Sequence, residues 1–245
     1  MPIALAAALR LPKLPPDRTP GTKVHRGGWT LPWRQPVLRG ALLTDLATTA
    51  LSMPVAIFPM INALRFDNDP RTLGLFLSAI ALGGISAGLV SGAVTRLRRW
   101  GLVQLVCSIG WGLALAGFGL STSAAVALCF LVLAGVADTV GVVARGTLVQ
   151  LVTPDGLRGR VSAVDHVIGV AGPEVGNMRG GILAAAVGAP AALVIGGLSA
   201  ALAAMAISAT HPQVRAYDND AAHDEEAEHG LQDRRDHDGK VLSER

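Results

Sequence analysis

Apolar residues in this chain run in long unbroken blocks rather than alternating or returning to one helical face. Six windows are almost free of charge: Gly40 to Leu64, Thr72 to Val94, Gly101 to Ser121, Ala124 to Leu151, Val161 to Val187 and Pro190 to Ala209. A helix needs roughly 20 apolar residues to cross a hydrocarbon core of about 30 Å, so each window predicts a transmembrane span. The stretch from Thr72 to Val94 holds 23 uncharged residues and leaves no polar face, which argues against buried helices of a large soluble protein. The expected fold class is an all-α membrane protein, a six-helix transmembrane bundle.

Composition agrees. Of 245 residues, 51% are hydrophobic and 16% charged, with a mean hydropathy of +0.45, whereas soluble domains carry about 25% charged residues. The two cysteines, Cys107 and Cys129, fall inside apolar windows and offer no disulfide framework or metal spacing. Met1 to Leu9 is apolar but too short to span and lacks a preceding basic region. It is expected to be the end of a preceding helix, not a signal peptide.

Residues 1–39 are expected to hold that helix end and a basic, Pro-rich cytoplasmic linker. Pro12, Pro15, Pro16, Pro20, Pro32 and Pro36 are expected to block helix there. From Arg10 to Arg39 seven basic residues face one acid, Asp17. Arg96, Arg98 and Arg99 follow the second span, and Arg158 and Arg160 follow the fourth. The alternate loops are balanced by Asp67 and Asp69 or uncharged. The excess of basic residues predicts both termini in the cytoplasm of a multi-pass inner-membrane protein. The transmembrane domain is expected over residues 40–210. Residues 211–245, with ten acids, five basic residues and four of the six histidines, predict a disordered cytoplasmic tail. Its run from His223 to His229 could hold a divalent metal, but a solvated charged tail explains it without one. No metal site and no cofactor are expected. The tail carries −5 and the remainder +8, out of a net +3, and that basic part should sit against anionic headgroups.

Ionisable residues at membrane depth are costly and mark cavities or partners. Asp45 lies in the first span and Asp138 near the middle of the fourth, with Arg145 two turns further toward the cytoplasm. The fifth span holds Asp165, His166, Glu174, Asn177 and Arg179. The second, third and sixth hold no charge. Hence the first, fourth and fifth spans should surround something polar, while the third and sixth can face lipid. Asp138 and Arg145 share a helix face, so they form either a local ion pair or two separate sites. Glu174 has no basic residue three or four positions away, and Pro173 beside it can free a carbonyl and kink the helix. It is a candidate proton-carrying site, with pairing to Arg145 or Arg179 across helices as the alternative. Gly84, Gly88 and Gly92, and Gly172, Gly176 and Gly180, form small-residue stripes suited to close helix approach.

The junction Arg145-Gly-Thr-Leu-Val-Gln-Leu-Val-Thr-Pro-Asp-Gly-Leu-Arg-Gly-Arg-Val-Ser-Ala-Val164 resembles the enterobactin-exporter branch of the major facilitator superfamily. Arg39-Gly-Ala-Leu-Leu-Thr-Asp45, Met53-Pro54, Phe58-Pro59 and Gly172-Pro-Glu-Val-Gly-Asn-Met-Arg-Gly-Gly181 support the resemblance, and Leu9 to Pro16 is similar to the exit of the family's sixth helix. It implies helices seven to twelve of a twelve-helix transporter with a cavity between two bundles, whose ninth and twelfth helices are peripheral. The family's signature loop has a degenerate counterpart in Gly92-Ala-Val-Thr-Arg-Leu-Arg-Arg-Trp-Gly101, where Arg96 replaces the acid and Asp165 could serve as its partner.

These readings predict half of a secondary active exporter, proton-coupled, for a siderophore or amphiphilic small molecule. Asp138, Glu174, Asn177 and Arg179 would line the substrate or proton pathway. Asp45, Arg96, Arg145, Asp165 and His166 would form the cytoplasmic gate. Expected partners are the lipid bilayer, the small molecule, and a six-helix N-terminal half or a second copy; no nucleic acid is expected. The alternative is a non-transporting truncated remnant or accessory membrane subunit. A membrane enzyme is disfavoured, because the spans contain no HExxH or GxSxG motif.

Overall fold

The computed structural model describes residues 30–94 and 99–217, which fold into helices joined by short turns. The first window opens earlier than expected, at α1 (Leu31–Arg34) and α2 (Pro36–Ser52). Pro32 and Pro36 occupy first-turn positions, where the missing N–H would have no intrahelical partner. They therefore start helices instead of blocking them. Asp45 consequently lies nine residues into α2, about 14 Å at about 1.5 Å per residue.

The window then breaks. Met53 is extended, Pro54 follows, a 3₁₀ turn spans Val55–Ile57, and the chain resumes as α3 (Phe58–Arg65). Four long helices match their windows to within a few residues: α4 (Pro70–Val94), α5 (Trp100–Leu120), α6 (Ala124–Val152) and α8 (Ala189–Thr210). The fifth window is α7 (Arg158–Val187), which runs on through Pro173. Among the described residues, five segments are long and apolar enough to cross a membrane, counting α2 with α3 as one. α7, 30 residues long, is not among them, its apolar stretch being diluted by Asp165, His166, Glu174, Asn177, Arg179 and several glycines.

Packing order differs from chain order. α5 packs against α6 and α8, α4 lies against α6, and α2 bridges α7 and α8. The result is an arc, α4–α6–α5–α8–α2–α7, with α4 and α7 at its ends. Backbones approach closely where glycine permits. A Cβ on Gly83 would collide with the Val132 carbonyl, and one on Gly135 with that of Ile80. Gly112 and Gly197 do the same for α5 and α8, and Gly172 and Gly176 lie against Thr49 of α2, Gly176 also against Met53 just past its end. The fifth-span stripe therefore packs as expected, and the second-span stripe packs only in part: a Cβ on Gly84 would meet Thr139 Oγ1 at 2.8 Å. The backbone-to-backbone approach on α4 comes from Gly83, and a Cβ on Gly88 would meet nothing within 4 Å.

One end of the bundle is pinned by Phe58, Phe66, Phe76 and Phe118, whose rings meet at 5.3–5.7 Å between centroids, tilted or edge to face. Arg65 donates to the carbonyls of Gly119 and Ser121 at the end of α5. At the other end a short helix, α9 (Pro212–Ala216), buries Val214 against Gly40 and Gly101. The segment expected to be disordered from residue 211 thus begins with an ordered turn, because Val214 has a glycine-lined seat. α5 and α8 each carry an exposed apolar stripe, Val106, Leu113 and Leu120 on one and Ile195, Leu198, Leu202 and Met205 on the other.

Candidate functional site

Between the arc's two ends lies a cavity of about 380 Å³, lined by Asp45 and Thr49 of α2, Leu77 and Ile80 of α4, Asp138 and Arg145 of α6, and Gly169 and Pro173 of α7, among others. Arg145 dominates its electrostatics. Its guanidinium pairs through Nη1 with Asp45 and through Nε, at 3.2 Å, with Asp165. Side-chain exposure is 9% for Arg145, 15% for Asp45 and 20% for Asp165. The planar fork of arginine suits it to two acids at once, and here it ties α2, α6 and α7 together. Gly169 is part of the arrangement, since a Cβ there would stand 3.4 Å from Arg145 Nη2.

Three of the residues expected at the gate, Asp45, Arg145 and Asp165, are therefore in contact. His166 is exposed. Arg96 lies outside the described residues. The local Asp138–Arg145 ion pair does not form: Arg145 turns to the neighbouring helices, while Asp138 opens onto the cavity with no ion pair among the described residues.

Glu174 is exposed on the outer face of α7 beside Val175 and Met178, away from the cavity lining. It forms no ion pair with Arg145 or Arg179 among the described residues. Asn177 and Arg179 hold the break in the first span. Arg179 Nη1 donates to the Leu51 carbonyl at 2.6 Å, and the Ala56 N–H donates to Asn177 Oδ1 at 3.2 Å. The interruption at Met53-Pro54 leaves α2 with carbonyls, and the following turn with N–H groups, that need partners outside their own helices. α7 supplies one of each.

Two polar features escaped the search for charges. Thr44, Thr48 and Ser52 form a buried stripe on α2, each donating to the carbonyl four residues earlier at 2.6–2.7 Å, and Trp111 Nε1 donates to Ser52 Oγ at 2.8 Å. Gln104 of α5 is 2% exposed and donates through Nε2 to the Ala41 carbonyl at 2.8 Å. A glutamine alone in an otherwise uncharged span was the available signal.

A bundle of long apolar helices with Asp45, Asp138 and Arg145 gathered at an interior cavity is the architecture of a multi-pass membrane protein. The sequence pattern of the Major Facilitator Superfamily matches residues 1–176, and the chain belongs to this superfamily. It is similar to proteins named Enterobactin exporter EntS, from Citrobacter koseri and from Escherichia coli O139:H28, each 30% identical over 178 residues. Those alignments cover 71% of this chain and 42% of each relative, so the chain spans less than half the length of the curated relatives it matches. No solved structure matches.

Proposed function

We propose that this chain forms the C-terminal, cavity-bearing half of a secondary exporter in the inner membrane, with its basic loops and both termini in the cytoplasm. Its substrate is a siderophore or another amphiphilic small molecule, the class suggested by the names of its relatives. The observation that carries the reading is Arg145 shared between Asp45 and Asp165 beside the 380 Å³ cavity. An ion pair divided between helices can exchange partners when those helices rock, which is how a gate couples to a cavity. Asp138, on the cavity wall without a direct ion pair, and Glu174, on the exposed face of α7, are the proton-carrying groups of this proposal. Residues Asn177 and Arg179 contribute to the pathway by keeping the broken first span in place.

The test is substrate efflux driven by an imposed pH gradient, in inverted vesicles carrying the chain with a matching N-terminal half. Asp138→Asn and Glu174→Gln keep side-chain shape and remove titration. Both variants should insert normally and lose gradient-driven efflux. Efflux that keeps its pH dependence in both would leave the two acids with a structural role and sink proton coupling through them.

A further inference from the structure

Between α2, α5 and α6 lies a second, much smaller cavity of about 30 Å³, which shares Asp45, Thr49, Trp111, Asp138 and Val142 with the large one and adds Thr48, Gln104 and Ser108 of its own. Its volume is that of roughly one water-sized particle. Its oxygen-bearing walls are Asp45, Thr48, Thr49, Gln104, Ser108 and Asp138.

Hydrogen-bond direction makes this wall unusual. Thr48 and Thr49 donate their hydroxyl protons backward, to the carbonyls of Thr44 and Asp45 at 2.6 and 2.8 Å, so they turn only lone pairs toward the cavity. The indole of Trp111, which also lines it, gives its N–H to Ser52. Gln104 gives Nε2 to Ala41, a carbonyl that can only accept, which fixes the amide's orientation. Its Oε1 is then left buried with no hydrogen-bond partner among the described residues, on a side chain that is 2% exposed. A buried acceptor without a partner is costly. Asp45 pairs directly with Arg145, whereas Asp138 feels that guanidinium's charge but forms no ion pair with it among the described residues. A pocket of acceptors that includes a carboxylate without a direct ion pair, near one arginine already shared by two other acids, fits one small positive charge.

We propose that this cavity binds a single small monovalent cation of the sodium class, held by the Asp138 carboxylate, Gln104 Oε1 and the hydroxyl oxygens of Thr48, Thr49 and Ser108. Hard oxygen donors suit such an ion. A transition-metal site is not indicated, because no group of three His, Cys, Asp or Glu side chains gathers among the described residues. Other titratable or charged groups bordering the site are Cys107 of α5 and Asp45 with its partner Arg145. The proposal deepens the reading of Asp138 as an ion site and rests on it only for coupling. Sodium and a proton would then compete for one carboxylate.

The experiment reads binding, not transport, so it fails independently of the exporter reading. The purified chain in detergent is melted in a series of sodium chloride concentrations, with choline chloride holding ionic strength constant. The expected result is a saturable rise in melting temperature with sodium alone. Asp138→Asn should shift half-saturation at least tenfold, and Gln104→Met should weaken it too. Ser108→Ala stands in should Gln104→Met fail to fold, as judged by its melt in choline. A sodium response equalled by choline, or unchanged in Asp138→Asn, overturns the proposal. So does a chain that responds to acidification but not to sodium, since the site would then hold only water or a proton.

Discussion

Arg145 has two acids and no alternative cation within the described cluster, so its removal strands both. Breaking a buried ion pair from one side costs about 3–5 kcal/mol, mostly through the charge left behind. Arg145→Leu should therefore destabilise the chain by about that amount, leaving Asp45 and Asp165 unpaired on different helices. Adding Asp45→Asn to Arg145→Leu should recover part of the loss, because one stranded charge is gone. Denaturation of the single and double variants in detergent measures this as a coupling energy. Strictly additive losses would mean that the contact contributes nothing. Arg145→Lys should fall between, since an ammonium is a point charge and cannot offer separate nitrogens of one rigid fork to two carboxylates.

At the scale of helices, the break in the first span and the closeness of α4 to α6 make separate demands. Arg179→Met takes away the donor to the Leu51 carbonyl, and an acceptor left unsatisfied costs about 1–3 kcal/mol. A matching fall in stability is expected, with accelerated proteolysis near Met53-Pro54. Gly135→Leu should lower stability more, since even a Cβ there would strike the α4 backbone, whereas Gly88→Ala meets open space. That second change should be neutral or stabilising by up to about 1 kcal/mol through helix propensity. Melting of the two variants side by side decides between Gly83 with Gly135 and the Gly84–Gly88–Gly92 stripe as the packing face. The sequence showed where the helices lie because hydrocarbon thickness imposes a minimum apolar length. It did not show which glycines touch, because a four-residue repeat does not reveal what stands opposite. The convergence of Asp45, Arg145 and Asp165 was readable as charge at membrane depth. That Arg145 would turn from Asp138 toward two other helices was not, since a shared helix face says nothing about competing partners. Gln104 was overlooked for a simpler reason: an amide carries no charge, yet once buried it still demands hydrogen-bond partners.

For the whole molecule the charges raise a question of completeness. Orientation can be read first: in a background with Cys107 and Cys129 replaced, a cysteine at Thr122 should react only from outside and one at Arg158 only from the cytoplasm, both positions being exposed. The reverse pattern would invert every loop assignment made from the basic residues. The arc then leaves Asp138 on an open cavity wall and Glu174 on an exposed face beside Met178 and Val175. An unpaired charge near the bilayer centre costs about 2.5–3.5 kcal/mol on insertion scales, so these groups call for water, a second bundle or another copy. Expressed alone, the chain should insert and move no substrate, because one wall of a pathway cannot enclose it. Vesicles holding only this chain are to be compared with vesicles that also hold a matching six-helix N-terminal half. Efflux only in the second set supports the half-transporter reading. Saturable efflux from the first set, with crosslinks between copies at Glu174→Cys, would refute it and place the cavity between two copies of this chain.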